Sequence, residues 1–163
     1  MTVTVDRDTF RSALAQHASG VVIVTALSEN VPVGLTATSF SSASLAPPLV
    51  QFSIDRDSTT WPWLRLADHF AVNVLAGDQA GLATRFARRG IDRFGGPTRW
   101  RPGRFGAPLL AGAAAHLVCR PHANHDIGDH VLVVGEVIEA EIHPARPLLY
   151  HRGRFGHFRE NPL

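Results

Sequence analysis

The sequence predicts a mainly β domain, an antiparallel Greek-key-like barrel with short helices packed at its ends. Three observations carry that prediction. Apolar, β-branched runs of strand length recur at residues 21–26, 33–37, 49–54, 70–75, 113–120, 131–142 and 148–152. Helical spacing is confined to short stretches between them. Strands and helices do not alternate regularly, which argues against a doubly wound parallel sheet and for a closed antiparallel one.

The elements follow in order. Residues 8–16 read as a helix, with Phe10, Leu14 and His17 on one face. Gly20 ends that pattern, and the run 21–26 is β-branched. Asn30 and Pro32 mark a turn, so 21–26 and 33–37 pair as a hairpin. Residues 39–44 are polar and rich in hydroxyls, and Pro47 and Pro48 close them. After the strand 49–54, residues 59–67 read as a helix with Ser58 as its N-cap. Val72 and Val74 alternate along the strand 70–75, and Asp78 is placed to cap a helix over 79–88. Residues 90–108 combine glycine, proline and arginine and read as a long loop, a kind of segment that often carries function. The strands 113–120, 131–142 and 148–152 follow, and the polar tail 159–163 is expected to be loose. Neither repeats nor a linker occur, so one domain is expected over 1–163.

Composition sets limits on function. With 45% hydrophobic residues the chain can bury a core, and with 18% charged residues it is not of the disordered class. No apolar run approaches the ~20 residues of a membrane helix. The N-terminal segment carries Asp6 and Asp8 and no apolar block, so no signal peptide is expected and the cytoplasm is the expected compartment. Cys119 is the only cysteine, which excludes an internal disulfide and a cysteine-based metal cluster. Its neighbours Leu117 and Val118 predict a small buried hydrophobe. Every basic residue is arginine, so lysine Schiff-base chemistry is excluded and any anion must be held by Arg, His, hydroxyls or backbone amides. Arg85, Arg88, Arg89, Arg93, Arg99, Arg101 and Arg104 are interleaved with aromatics, a pattern met in nucleic-acid binders. The net charge of only +2 and the lack of a recognition module argue against such a partner.

Three segments could carry chemistry. The first, Gly34, Leu35, Thr36, Ala37, Thr38, Ser39, Phe40, Ser41 and Ser42, concentrates hydroxyls beside small residues. Such a strand can satisfy the polar edge of a planar ring without blocking its face, and it can equally be a polar edge strand. In the second, a strand ends at Ser53, Ile54 and Asp55, and a helix is expected to begin near Ser58. Free N–H groups there, with Arg56, Thr59 and Thr60, suit a phosphate, although a capped helix beside a solvated turn would look the same. In the third, residues 122–130, His122, His125 and His130 stand among Asp126 and Asp129. The His122–His125 spacing could serve zinc on a helix, but a helix is not expected between two strands around Gly128, so a solvated hairpin loop is expected and a metal is not. His130 suits the orientation of a ligand or the movement of a proton.

Taken together and in order, these blocks resemble the flavin reductase-like domain family, whose fold is the FMN-binding split barrel. The resemblance is carried by Phe10 and Arg11; by Gly20 to Thr25; by Val33, Gly34, Leu35, Thr36, Ala37, Thr38, Ser39 and Phe40; by Ser44 and Leu45 with Pro47, Pro48, Leu49 and Val50; by Ser58 with Trp61; by Phe70 to Leu75; by Gly128, Asp129 and His130; and by Pro147 to Tyr150 with Gly153. The nearest likeness is to the small reductase components of two-component flavin-dependent monooxygenases.

The resemblance implies hydride transfer from NADH or NADPH to FMN or FAD, with reduced flavin passing to a partner monooxygenase. It also implies a homodimer, with no nucleic acid and no membrane among the partners. Val33, Gly34, Thr36, Ala37, Thr38 and Ser39 would line the flavin ring, and Ser53, Ile54 and Asp55 would meet it from the next strand. Arg56, Ser58, Thr59 and Thr60 would hold the phosphate, and Arg85 and Phe86 would close over the tail. His130 would be the catalytic-site residue beside the nicotinamide, bordered by Tyr150, Arg152, Gly153 and Phe155. Phe155 stands where many relatives carry a tyrosine, which removes a phenol contact. Two other readings of the same fold are a flavin-binding module without reductase activity and a flavoenzyme acting on its own small organic substrate.

Overall fold

The structure is a computed structural model, and it describes residues 3–163. Strand β1 (Ser19–Gly20) follows helix α1 (Arg7–Leu14), and then come β2 (Val22–Ser28), β3 (Val31–Ala37), β4 (Ser41–Ser44) and β5 (Leu49–Asp55). Helix α2 (Trp61–Leu64), β6 (Phe70–Val74) and α3 (Ala80–Ala87) come next. A short hairpin, β7 (Trp100–Pro102) and β8 (Pro108–Leu110), leads to β9 (Ala115–Ile127), β10 (His130–Ile142), β11 (Leu148–His151) and β12 (Arg154–His157).

The main sheet has seven strands in the order β3-β2-β6-β9-β10-β5-β4, and every neighbouring pair is antiparallel. β1, β11 and β12 form a second small sheet. The mostly apolar sequence of β2 has a structural reason. Alternate side chains leave a strand on opposite faces. Val22, Val24 and Ala26 enter one core with Phe52, Ile54, Val72 and Val131. Val21 and Ile23 enter the other, with Leu75, Phe86, Leu110 and Leu148. A strand buried on both faces is mostly apolar, and the polar members of β2, Thr25 and Ser28, are buried with the rest. The β2–β3 turn is made by Glu29 and Asn30, both at positive φ (49° and 63°), the conformation that tight hairpins require.

A buried polar clamp ties the two cores together. Asn73 is fully buried; its Nδ2 donates to the Ile23 carbonyl (2.9 Å) and Thr25 Oγ1 (3.0 Å), and its Oδ1 accepts from Leu110 N (2.8 Å). With every polar atom partnered, burial costs little and β2, β6 and β8 are fixed in register.

Several expectations need correction. The described residues hold twelve strands rather than about seven, because short edge pairs such as β1 and β12 have no periodicity to read. Helix α1 is capped by Asp6, whose side chain accepts from Thr9 N, yet none of its residues is buried. Its expected apolar face, Phe10 and Leu14, stays exposed (55% and 52%). The helix expected over 59–67 is a single turn. Ser58 does not cap it, and Ser58 Oγ instead accepts from Thr60 N within the preceding bend (3.2 Å). Asp78 does not cap α3; Gln79 holds that turn, with Oε1 accepting from Ala76 N and Nε2 donating to the Ala111 carbonyl. Residues 90–108 are not one loop but contain the β7 strand and run into β8. Residues 122–127 belong to β9, since β10 is long enough to pair it to the tip, where Gly128 and Asp129 make the turn. Cys119 is fully buried, as expected, and burial pushes its thiol up to about 12. No helix among the described residues is long and apolar enough to cross a membrane.

Candidate functional site

A cleft of about 360 Å³ opens where β3, β5, the end of α3 and the start of β10 converge. That volume falls within the range of small-molecule sites, roughly 300–1,000 Å³. Its lining brings together Thr36, Ala37, Thr38 and Ser39 of β3 and the residues after it, Ser53, Ile54 and Asp55 of β5, the Ser58 and Thr59 bend, Phe86 and His130. Register explains part of this. His130 pairs with Asp55 across β5 and β10, so the first residue of β10 lies at the mouth beside the last of β5.

Each wall is held from behind. Thr36 Oγ1 donates to the Ala83 carbonyl of α3 (2.7 Å). Ser39 Oγ accepts from Ser53 N (2.9 Å) and donates to the Ser53 carbonyl (3.2 Å), which ties the segment after β3 to β5, two strands that do not pair in the sheet. Gly34 lets α3 approach: a Cβ there would lie 2.8 Å from the Val24 carbonyl oxygen and 3.1 Å from Phe86 Cε1. Phe86, fully buried, thereby floors the cleft. His130 Nδ1 bonds Asp129 Oδ1 at 2.7 Å, and that bond, with the imidazole charge, holds the Asp129 carboxyl below its ordinary range. A carboxylate only accepts, so Nδ1 carries a proton, and in the neutral ring Nε2 keeps its lone pair.

The anion end differs from expectation. Ser58 and Thr59 face the cleft, but Arg56 turns outward to Asp126 (3.5 Å). Thr60 is buried and Oγ1 accepts from Arg93 Nη1 (2.9 Å). The one-turn helix α2 cannot supply a strong dipole end. Cationic charge comes instead from Arg89 and Arg93, with Asp55 the only carboxylate in the lining. Arg93 bridges three segments: Nη1 also donates to the Gly34 carbonyl (2.6 Å), and Nε and Nη2 both donate to the Arg88 carbonyl (3.0 and 2.6 Å). Burial and the charge of Arg89 lower its pKa, and a guanidinium so placed remains cationic at neutral pH. Sequence reading saw both arginines only as members of a basic stretch. No local signal separates them from Arg85, whose Nε and Nη2 bind the carbonyls of Arg93, Asp92 and Gly95 and lie off the cleft. Val33 and Gly34 line a smaller neighbouring hollow with Thr60 and Arg93.

The expected nicotinamide group is split within one chain. Arg152 and Phe155 line a separate cleft on the β11–β12 hairpin. Tyr150 packs against the second core and meets Phe155 edge-on at 5.3 Å. Arg152 and Gly153 form the hairpin turn, both at positive φ. Arg152 N donates to the Ala15 carbonyl just past helix α1, and Arg152 and Phe155 line a different cleft from His130.

The comparisons agree with this architecture. The family model of the flavin reductase like domain matches residues 14–159. The chain is 38% identical over 158 residues to the flavin-dependent monooxygenase reductase subunit HsaB of Mycobacterium tuberculosis, covering 95% of this chain and 84% of that protein. It is 42% identical over 149 residues to the FMN reductase (NADH) SmoA of Agrobacterium fabrum, covering 91% and 84%. The NADH:FAD oxidoreductase SgcE6 of Streptomyces globisporus C-1027, solved with NAD and FAD fragments, superimposes with a TM-score of 0.89 at 38% identity over 97% of this chain and 98% of that one. The chain belongs to the flavin reductase like domain family and has its split-barrel fold.

Proposed function

We propose that this protein is an NAD(P)H:flavin oxidoreductase that delivers reduced flavin to a partner monooxygenase. The observation that carries the reading is the single cleft in which Thr36–Ser39, Ser53–Asp55, Ser58, Thr59 and His130 meet, in a chain of this family. The lining suits a flavin: small hydroxyls and backbone on two strands for a planar polar ring, a buried aromatic floor, and two guanidiniums for a phosphate.

A bound flavin supplies the chemistry, accepting a hydride from the nicotinamide. The chain's own residues orient and hold. Thr36, fixed to α3, and Ser39, fixed to β5, present small side chains that leave one ring face open. Ser58, Thr59, Arg89 and Arg93 hold the phosphate, the arginines replacing Arg56 in that role. His130 Nε2, its tautomer set by Asp129, accepts from a nicotinamide carboxamide N–H and so positions the ring. Phe10 and Leu14 on α1, exposed in one chain, support a homodimer. In that dimer Tyr150, Arg152, Gly153 and Phe155 reach the nicotinamide from the second subunit. The cytoplasm, where reduced nicotinamides are made, is the compartment of this reaction.

The test mixes purified protein with FMN or FAD, then adds NADH or NADPH and follows the loss of flavin absorbance. Catalytic reduction of free flavin is expected. Flavin that binds but that neither nucleotide reduces would overturn the proposal. His130→Ala is expected to raise the nicotinamide KM; an unchanged KM and kcat would remove His130 from its role.

A further inference from the structure

At the open base of the β9–β10 hairpin, far along both strands from His130, three side chains converge. His116 of β9 pairs directly with Glu141 of β10, so their side chains share a face. His143 follows two residues after Glu141 and keeps that face, its N–H bonded to the Ala114 carbonyl (2.8 Å). The ladder shifts register between Val137 and Glu139, and this shift sets Glu141 opposite His116.

The donor atoms stand at ligand spacing. His143 Nε2 is 3.3 Å from His116 Nδ1 and 3.5 Å from Glu141 Oε1, and His116 Nδ1 is 3.9 Å from Glu141 Oε2. Two nitrogens bound to one tetrahedral zinc at ~2.05 Å lie ~3.3–3.4 Å apart. The same nitrogen pair, joined by one hydrogen bond when no ion is present, lies at the long end of hydrogen-bond distance.

The surroundings are those of a ligand set. His116 Nε2 bonds the Leu110 carbonyl (2.8 Å). A carbonyl only accepts, so Nε2 carries the proton and Nδ1 turns its lone pair toward His143 and Glu141. Metal-binding histidines are commonly oriented by such a bond on the other ring nitrogen. Arg101 Nη2 donates to Glu141 Oε2 (2.7 Å), which orients the carboxylate and leaves Oε1 toward His143. The His116 side chain is 6% exposed and those of Glu141 and His143 are 44% and 37% exposed, so an ion can enter from outside. His116 and His143 also line a hollow of about 330 Å³ with Arg101, Gly112 and Pro144, room for water in a fourth position.

We propose that His116 Nδ1, His143 Nε2 and Glu141 form a site for one divalent transition-metal ion, of the zinc type, that pins the base of the β9–β10 hairpin. Nothing in flavin binding or hydride transfer requires it, and it stands independently of the proposed reductase activity.

The probe is Zn²⁺ itself, with Co²⁺ as the spectroscopic substitute, on untagged full-length protein freed of metal by a chelating resin. Calorimetric titration is expected to give one equivalent of Zn²⁺ bound at micromolar Kd or tighter. Co²⁺ is expected to give the visible absorption of a four-coordinate ion, and Zn²⁺ to raise Tm by several degrees. His143→Ala and Glu141→Gln, both on partly exposed side chains that can be changed without opening the core, are each expected to weaken binding at least tenfold and to remove the Tm rise. His125→Ala, at the opposite end of the hairpin, is expected to leave both intact. Binding that is absent from the parent protein, equal in His143→Ala, or lost in His125→Ala would overturn the proposal.

Discussion

Arg93 gives the sharpest test of the cleft. Replacing it with alanine removes four hydrogen bonds, two of them to acceptors sheltered from water, the Gly34 carbonyl and Thr60 Oγ1. Hydrogen bonds from a charged donor contribute about 1.5–3 kcal/mol each, and the exposed Arg88 carbonyl recovers water when its donor leaves. Some water also reaches the two sheltered acceptors, because Arg93 is only half-buried. The expected loss is therefore about 2–4 kcal/mol of stability. The same change removes one of two cations from the anion end of the cleft. Losing one charge-assisted phosphate contact weakens flavin binding roughly 10- to 100-fold.

Arg85→Ala is the matched control. It also removes guanidinium bonds to backbone carbonyls, those of Arg93, Asp92 and Gly95, from a side chain that does not line the cleft. It is expected to lower stability with little change in flavin affinity. Arg93→Lys keeps the charge but cannot span Gly34, Thr60 and Arg88 together, so affinity is expected to fall between those of the parent and Arg93→Ala. Flavin fluorescence quenching measures the Kd, and urea unfolding measures stability on the same samples. If folded Arg93→Ala binds flavin like the parent, or if Arg85→Ala loses as much affinity, the assignment of the anion end is wrong.

Two further predictions concern the core. The Cys119 thiol, pushed up to about 12 by burial, is expected to resist a thiol reagent at pH 8 in the native protein and to react at once in urea. Because the folded pKa is raised, the stabilisation is intact below the unfolded value of ~8.5 and is lost as pH rises toward 12, at about 1.4 kcal/mol per pH unit. Cys119→Ala is expected to flatten that alkaline slope, and an identical slope in urea titrations at pH 8 and 10 would refute it. At Gly135 an added Cβ would overlap Phe70 Cζ and lie 3.1 Å from the Cys119 Cβ. Gly135→Ala is thus expected to cost about 1–3 kcal/mol by overpacking, partly restored by Phe70→Leu, as read from Tm.

Much of the barrel could be read in advance because the physics involved is local. Val21 to Val24 announces a strand with no polar face, and β2 is buried on both sides. Thr36 to Ser39 and Ser53 to Asp55 are strand-end segments whose small and polar residues suit one wall each, and the cleft contains both. Cys119, flanked by apolar residues, is buried as its neighbours imply. Other features could not be read. Pro62, in the first turn of α2, bars the helix from reaching back to residue 59, and the helix expected over 59–67 is one turn. Gln79 outcompetes Asp78 at α3 because its longer amide reaches the Ala111 carbonyl, a partner distant in sequence.

The sequence by itself determined the fold class, a hydroxyl-rich strand over Thr36–Ser39, a polar strand end at Ser53–Asp55 and the presence of His130 at a strand end. Each of these depends on periodicity or turn chemistry within about ten residues. Only the tertiary structure decided which arginines serve the cleft. Arg56 is drawn off by Asp126, while Arg93, 59 residues from Gly34, is drawn in by a carbonyl and a buried hydroxyl. It likewise set His116 against Glu141 and His143, a grouping made by strand register over 27 residues of sequence. Partners for a charged side chain are chosen by what the fold brings within hydrogen-bond reach, and that distance is not written in the order of the residues.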